Sequence, residues 1–305
     1  MNEVENKTQM RGIAAALTAA LLWGLIPLYI ALIDTDDPFE IVAHRALWSG
    51  AFLTLYVWKF TGFQTVMAAL AKPGAWFGML ICCVMLATNW IIFVYAVQSG
   101  QVVDAAFGYF IYPLVAVLLG IIVLGERLDK WGWAAIGFVL AGVLVKGLLI
   151  GGLPWLALLL AVTFGLYSIT RKKFYIDPLH GLFVETIILI GPALGYMLWL
   201  HHTGQPQFFG GGAFHVFLAV AFGLVTIVPL LLFHIGNRDL KIIMSSLLFY
   251  ANPTTQLLLG IYIFGADFSI LDLSAFGLIW AGVIVYFSSR PTQNSRQKAA
   301  ASNRS

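Results

Sequence analysis

Charged side chains inside long apolar segments are the residues of this sequence best placed to do chemistry, because each costs at least about 2.5–3.5 kcal/mol in lipid. Arg45 lies near the start of the apolar segment 41–60, and Glu185 lies early in the segment 181–200. A buried guanidinium can bind an anionic group such as a carboxylate, and a buried carboxylate can take up a proton. The structural alternatives are an Arg45 that reaches the outer interface or pairs with an acid, and a Glu185 that hydrogen-bonds a neighbouring helix.

Two further titratable residues belong with Arg45. His44 is its neighbour on a different helix face, where a proton-linked role competes with that of a packed, hydrogen-bonded histidine. Asp104 opens the segment 104–124 at the same expected depth as Arg45, so we expect an ion pair or gate between them. A helix-dipole contact of Asp104 is the alternative. Glu185 is expected near the opposite side of the membrane, too far away to pair with Arg45.

Uncharged polar and aromatic residues supply the remaining candidates. Asn89 and Trp90 lie past the middle of the segment 75–98, where an amide can hydrogen-bond a substrate and an indole offers a flat apolar wall. Pro113 and Pro253 each free a backbone carbonyl one turn earlier and favour a kink. The polar side chains that flank both prolines suit a substrate site or hinge, although kinks also arise from packing alone; they are Tyr109, Tyr112, Tyr250 and Asn252.

Other chemistries have little support. The histidines at 201, 202 and 215 have no spacing that fits a metal site, and the two adjacent cysteines lie in an apolar segment. The sequence contains neither a phosphate-binding glycine loop nor a His-Glu-x-x-His motif. We therefore expect no metal, no cofactor, no nucleic-acid partner and no enzymatic activity, and leave proton coupling and simple facilitation as alternatives. The expected partners are a small-molecule substrate and the lipid bilayer, with the oligomeric state left open.

The elements that must position these residues are membrane-spanning helices. The chain is 60% hydrophobic and 10% charged, and its mean hydropathy is +0.89. Apolar runs long enough to cross a bilayer recur along nearly the whole chain, and each must be helical to pair its backbone in lipid. The sequence predicts ten spans, at 12–33, 41–60, 75–98, 104–124, 131–149, 154–170, 181–200, 213–235, 243–264 and 273–289.

The positive charges indicate the orientation of these spans. With the N-terminus inside, 15 of the 17 lysines and arginines fall on the cytoplasmic side, and only Arg45 and Lys146 do not. This bias is the one that sets topology in polytopic membrane proteins. We therefore expect both termini in the cytoplasm.

The chain also repeats itself at an offset of 140 residues. This offset aligns Pro113 with Pro253, Gly120 with Gly260 and Gly125 with Gly265, and 13 of the 53 positions from 93 to 145 are identical. Because each repeat has an odd number of spans, the two must insert with opposite orientation. The fold class expected is an all-α polytopic membrane protein with ten transmembrane helices in two inverted five-helix repeats, a transporter architecture.

At this point a resemblance to a known family is clear over the whole chain. It resembles the RarD-type members of the EamA family, in the drug/metabolite transporter superfamily. The residues that carry the resemblance are Trp23-Gly24, His44-Arg45, Asn89-Trp90, Gly108-Tyr109-Phe110 through Pro113, Gly125-Glu126-Arg127, Arg171-Lys172-Lys173, Glu185-Thr186 and Pro253. The resemblance implies a ten-helix secondary transporter of the inner membrane that works by alternating access, without implying a substrate.

The domain organisation expected is a first EamA-like repeat over 1–150, a second over 151–289 and a disordered cytoplasmic tail over 290–305. The function expected is a permease that moves a small organic metabolite or drug-like amphiphile across the bacterial inner membrane, as an exporter. The alternatives are a membrane-embedded enzyme and a membrane partner protein that transports nothing. An enzyme usually clusters acids and histidines at one depth, whereas here they are scattered.

Overall fold

The computed structural model describes residues 3–33, 35–125, 129–174, 177–204, 211–240 and 248–302. Within these ranges, the side chains of residues 3–6, 124, 172, 178, 237–239 and 287–302 are left out of the description. Glu126, Arg127 and the beginning of the ninth expected span, at 243–247, lie outside the described residues.

All regular secondary structure in the described ranges is helical. The helices are α1 (Glu3–Gly24), α2 (Ile26–Ala31), α3 (Pro38–Tyr56) with a π-helical turn after it (Val57–Thr61), α4 (Phe63–Leu70), α5 (Ala75–Gln98), α6 (Val102–Leu124), α7 (Lys130–Ile150), α8 (Trp155–Phe174), α9 (Pro178–His202), α10 (Ala213–Asp239), α11 (Ala251–Tyr262) and α12 (Ile270–Ser302).

Six helical stretches among the described residues are long and apolar enough to cross a membrane. They are Lys7–Ala31, Ala75–Gln98, Val102–Val123, Lys130–Ile150, Leu179–His202 and Ala213–Gly236. Two shorter apolar helical stretches are Trp155–Arg171 and Ile270–Tyr286. The chain is therefore a multi-pass helical membrane protein.

The structure departs from the expected spans at three places. The first span is broken at Leu25, between α1 and α2, because Pro27 has no N–H and its ring clashes with the preceding turn. The short helix α4 occupies a stretch expected to be a loop. Helix α12 continues to Ser302, so the tail expected to be disordered from residue 290 is helical up to that point; its lysine, arginine, glutamine and alanine residues favour helix.

Aspartate–proline pairs set the start of two central helices. Asp37 accepts a hydrogen bond from the Phe39 N–H at 2.9 Å, and Pro38 occupies the first turn of α3. In the same way, Asp177 accepts from the N–H groups of Leu179 at 3.0 Å and His180 at 3.2 Å at the start of α9. Such caps satisfy donors that have no partner within the helix, and proline needs no donor there.

The helices pack in a network that links the two halves of the chain. The principal pairs are α7 with α12, α6 with α8, α1 with α10, α3 with α9, α5 with α8, α3 with α10, α6 with α11, α1 with α11 and α5 with α9. The two largest clusters of buried apolar residues lie between these pairs. They hold α3 and α6, which carry Arg45 and Asp104, against the second half of the chain.

A buried cation marks each of two ends of the bundle. The Lys146 end holds the start of α6, the end of α7 and the start of α12, because Lys146 contacts Asp104 and Asp272 there. The Arg171 end holds the end of α8 and the start of α9, where Arg171 reaches Glu185. These two ends bound the region in which the candidate site lies.

Reciprocal glycine contacts close the pair formed by α7 and α12. A Cβ atom at Gly142 would lie 2.9 Å from the Ala275 carbonyl oxygen, and one at Gly282 would lie 2.9 Å from the Ala135 carbonyl oxygen. We therefore expect Gly142→Ala and Gly282→Ala each to lower the melting temperature of the purified protein, because the two backbones would have to separate.

The same two helices supply matched controls for that measurement. A Cβ atom at Gly137 or Gly277 would meet nothing within 4 Å. Alanine at either position should leave the melting temperature unchanged or raise it, since alanine favours helix over glycine by up to about 1 kcal/mol. Equal effects at all four glycines would contradict the reciprocal packing of α7 and α12.

Candidate functional site

Arg45 of α3 lies in a buried pocket between α5 and α10. Only 6% of the surface of Arg45 is exposed. The guanidinium lies over the Trp90 ring, with Cζ 3.9 Å from the ring centroid, and 5.4 Å from that of Phe222. Its Nε donates a hydrogen bond to Thr226 Oγ1 at 3.0 Å. Two aromatic faces and one hydroxyl thus fix the plane of the guanidinium.

No carboxylate among the described residues lies within 4 Å of the Arg45 guanidinium. A cation–π contact and one hydrogen bond compensate only part of the desolvation of a buried cation. The neighbouring His44 is also buried, at 2% exposed. The arrangement leaves Arg45 suited to bind an anionic group.

The prediction that Arg45 pairs with Asp104 is wrong. Asp104 instead lies 2.8 Å from Nζ of Lys146, which also lies 2.8 Å from Asp272. Lys146 can bridge both carboxylates because the start of α6 and the start of α12 both meet the end of α7. Ser269 adds hydrogen bonds to Asp272 from its N–H at 3.0 Å and its hydroxyl at 2.8 Å. This triad joins three helices at the Lys146 end.

Asn89, next to Trp90 on α5, is a junction between helices. Its Nδ2 donates to the Leu160 carbonyl at 3.0 Å and to Thr163 Oγ1 at 2.9 Å, both on α8. Its Oδ1 accepts from the Tyr109 hydroxyl of α6 at 3.0 Å. Because these contacts use both the nitrogen and the oxygen of the side-chain amide, Asn89 holds three helices together around Trp90 in this conformation.

Aromatic rings continue from this junction toward the Arg171 end. Phe164 contacts Tyr109 at 6.0 Å between centroids, Tyr112 at 4.7 Å and Tyr167 at 5.8 Å, with the last pair stacked at 15°. The Tyr112 hydroxyl lies 3.1 Å from Ser168 Oγ. We call Tyr109, Phe164 and Tyr167 the aromatic wall.

Glu185 of α9 lies at the end of the aromatic wall. It is fully buried, with 0% of the residue exposed. Its Oε1 is 3.7 Å from Nη1 of Arg171, and the Tyr167 hydroxyl donates to its Oε2 at 3.4 Å. Both contacts are long for a hydrogen-bonded ion pair. Glu185 is therefore a buried carboxylate with a cation nearby but without a short hydrogen bond among the described residues.

The structure keeps Arg45 and Glu185 apart, as the sequence predicted. Ala46 packs against Ala193 between α3 and α9, and Glu185 precedes Ala193 by eight residues. At the helical rise per residue, the two charges differ in depth by about 12 Å. The Arg45 group and the Glu185 group are thus two separate charged sites joined by the aromatic wall.

Of the residues that flank the two prolines, Tyr109 and Tyr112 of α6 lie at these sites, whereas Tyr250 and Asn252 make other contacts. The helix α6 continues through Pro113, whereas Pro253 lies in the first turn of α11, where its missing N–H costs no helical hydrogen bond. Asn252 accepts a hydrogen bond from Gln256 Nε2 at 2.9 Å. The Tyr250 ring stacks on Phe110, and its buried hydroxyl has no hydrogen-bond partner among the described residues.

Sequence reasoning missed several residues of the two sites. Neither Lys146 nor Arg171 was predicted to contact an acid, although a lysine in an apolar segment is itself a signal of a buried acid nearby. Thr226, Phe222 and Phe164 lie in uniformly apolar runs, where nothing in the local pattern marks them. The described residues contain no group of three or more histidine, cysteine, aspartate or glutamate residues placed to hold a metal ion.

Comparison with known proteins gives the family. The sequence profile of the EamA-like transporter family matches residues 10–147. The uncharacterized transporter YojE of Bacillus subtilis is 34% identical over 94% of this chain and 95% of its own length. The protein RarD of Streptomyces exfoliatus is 34% identical over 93% of this chain and 90% of its own length.

Two further comparisons agree with these. The protein RarD of Escherichia coli is 30% identical over 93% of this chain and 96% of its own length. One solved crystal structure superposes with a TM-score of 0.58 at 23% identity, and covers 91% of this chain and 96% of its own, which shows a shared fold. The chain therefore belongs to the EamA-like transporter family, as a RarD-type member of the drug/metabolite transporter superfamily.

Proposed function

We propose that this transporter moves a small organic metabolite or drug-like amphiphile that carries an anionic group, and that Arg45 binds this group. The observation that carries the proposal is the buried Arg45 guanidinium, which faces Trp90 and has no described carboxylate within 4 Å. An anionic substrate would complete the charge balance, and the Trp90 ring would contact its apolar part. The proposal assigns the chain no enzymatic reaction.

We propose further that the transporter consists of two inverted five-helix repeats. The contacts support this arrangement, because an offset of 140 maps the contact of Gly142 with Ala275 onto that of Gly282 with Ala135. It likewise maps the Asp37 cap onto the Asp177 cap. Under the same offset, the packed pair α6 and α8 corresponds to the packed pair α11 and α1. The packed pair α1 and α10 corresponds to the packed pair α8 and α5.

Alternating access follows naturally from such a pair of repeats. In this proposal the Lys146 end faces outward, both termini are cytoplasmic and the protein lies in the inner membrane as an exporter. The distribution of lysine and arginine supports the orientation. The Arg45 and Glu185 sites differ in depth by about 12 Å, a separation that supports a site opened to each side of the membrane in turn.

A thermal-stability screen of the purified protein tests the substrate proposal. A ligand that binds only the folded state raises the melting temperature by mass action. The panel would contain amino acids, nucleosides, vitamins and chloramphenicol, each carboxylate paired with its uncharged amide or ester. Stabilisation by carboxylates but not by their neutral partners supports an anion site, whereas stabilisation by neutral compounds alone contradicts it.

Glu185 is proposed as the residue that couples transport to protons. Its carboxylate is fully buried and lacks a short hydrogen bond, so protonation during the cycle would remove a charge from the bundle. We expect Glu185→Gln to abolish the pH dependence of flux in proteoliposomes, because glutamine cannot change charge. Flux that retains the wild-type pH dependence in this variant would exclude Glu185 as the coupling site.

A further inference from the structure

The end of α8 packs against the start of α5 through the ring of Phe174, at the Arg171 end of the bundle. A Cβ atom at Gly74 would lie only 3.0 Å from Cε1 of this ring. Lys173 directly precedes Phe174, and Lys72 lies two residues before Gly74. The two lysines therefore flank one contact between α8 and α5, and both are exposed.

Neither of these lysines is balanced by an acid. No carboxylate of the described residues lies within 4 Å of Nζ of Lys72 or Lys173. The sequence from 41 to 103, which includes Lys72, contains no aspartate or glutamate. Asp177, four residues after Lys173, caps the start of α9 and lies 3.8 Å from His180. The surface between α8 and α5 is therefore positively charged.

Large aromatic side chains lie beside the lysines on the surface of the bundle. Trp76 and Phe77, in the first turn of α5, are each at least half exposed. The π-helical turn after α3 exposes Trp58 and Phe60 to a similar extent, and between them Lys59 Nζ lies 5.4 Å from the Phe60 ring centroid. Exposed aromatic rings next to lysines are typical of the protein surface at the level of the lipid headgroups.

The short helix α4 connects the π-helical turn to the start of α5. Its residues Val66 and Leu70 are buried against the bundle, whereas Phe63 and Met67 are exposed on a neighbouring side of the helix. The Phe63 ring also contacts the Phe183 ring of α9, with 6.1 Å between centroids, which fixes α4 at the Arg171 end. A short helix with exposed apolar residues between lysines is typical of a segment that lies in the membrane interface.

We propose that this surface binds an anionic phospholipid, with its phosphate held by Lys72 and Lys173 and its acyl chains against Trp76 and Phe77. We call these four residues the lipid patch. Two lysine ammonium groups attract a headgroup with a net negative charge. A zwitterionic headgroup carries its own cation, which the lysines repel, so the lipid patch favours the anionic lipid. No substrate group takes part, and the proposal is therefore independent of the function proposed for Arg45.

Native mass spectrometry of the purified full-length protein counts the lipids that it binds. The protein, in a neutral detergent, is titrated with dioleoylphosphatidylglycerol and separately with dioleoylphosphatidylcholine, which has the same chains and no net charge. Each lysine near an anionic lipid contributes a factor of about five in affinity. We expect phosphatidylglycerol to bind more tightly than phosphatidylcholine, by up to about 25-fold for two lysines. Equal affinities for the two lipids would overturn the proposal.

Variants separate the charge of the lipid patch from its apolar contacts. Lys72→Met and Lys173→Met should each lower the preference for phosphatidylglycerol by about fivefold, and the double variant should remove most of it. Phe77→Ala should weaken the binding of both lipids and leave the preference unchanged, because their chains are the same. Lys130→Met is the matched control, since Lys130 is also exposed and lies 5.5 Å from the ring of Trp131, but on α7 outside the lipid patch.

Two further results would contradict the lipid patch. If Lys130→Met lowers the preference as much as Lys72→Met does, anionic lipid responds to the net charge of the protein and not to this surface. If the spectra of wild type show a dimer that carries no phosphatidylglycerol, a second copy of the chain covers the surface instead. Melting temperatures measured without added lipid show that each variant is folded before its lipids are counted.

Discussion

Arg45→Met is expected to weaken binding of an anionic ligand by about 10–150-fold, because hydrogen bonds to a charged group contribute about 1.5–3 kcal/mol. The stability of the ligand-free protein should be unchanged or higher. Methionine can fill the space between Trp90 and Phe222, and it removes a buried charge that has no described counter-ion within 4 Å. Ligand titrations followed by melting temperature measure both quantities on one sample.

Two matched variants make this result specific to the guanidinium. Arg45→Lys keeps the charge without the planar fork and should lie between wild type and Arg45→Met in affinity. Thr226→Val removes the hydroxyl that accepts from Arg45 Nε but leaves the cation in place, so its effect should be smaller. Equal affinities in wild type and Arg45→Met would place the substrate elsewhere.

Lys146→Met is expected to have the opposite effect on stability, a loss of about 3–5 kcal/mol, because it leaves buried carboxylates without their cation. Asp272 is 4% exposed, while the Asp104 side chain is 29% exposed, so most of the loss should come from Asp272. The measurement is the melting temperature of the purified ligand-free protein. Anion binding at Arg45 should be retained in the fraction that is folded.

The controls for Lys146 lie on the same helix and in the same triad. Lys130 at the other end of α7 is exposed, so Lys130→Met should change stability by no more than about 0.5 kcal/mol. Adding Asp272→Asn to Lys146→Met should restore part of the lost stability, since the unpaired charge is removed. If the Lys146→Met protein is as stable as wild type, the triad contributes nothing to the stability of the folded protein.

The contrast between Arg45 and Lys146 shows which features of the fold and the site could be predicted from the sequence. Hydropathy and the positive-inside pattern depend on local composition, so the helical class and the candidate charges were recognisable in the sequence. The partner of a buried charge depends on which helices pack together. Lys146 and Asp272 are 126 positions apart, and Asp104 was therefore assigned to the wrong cation.

Two other features required the structure for the same reason. Asn89 was predicted to hydrogen-bond a substrate, and its contacts with Tyr109 of α6 and with Leu160 and Thr163 of α8 could be seen only from the packing of these helices. A Cβ atom at Gly181 would overlap the guanidinium of Arg171 from α8. The local sequence of α9 gives no sign of this close approach. The first helix break, by contrast, had a local signal in Pro27.

Flux in proteoliposomes shows whether Arg45 binds the transported anion. A carboxylate found to stabilise the protein would be loaded inside vesicles that contain wild type, Arg45→Met or Arg45→Lys, and its exit would be followed with and without a counter-substrate outside. We expect saturable exchange by wild type, no exchange above empty vesicles by Arg45→Met and reduced exchange by Arg45→Lys. Exchange by Arg45→Met at the wild-type rate would contradict the assignment of Arg45 as the residue that binds the substrate anion.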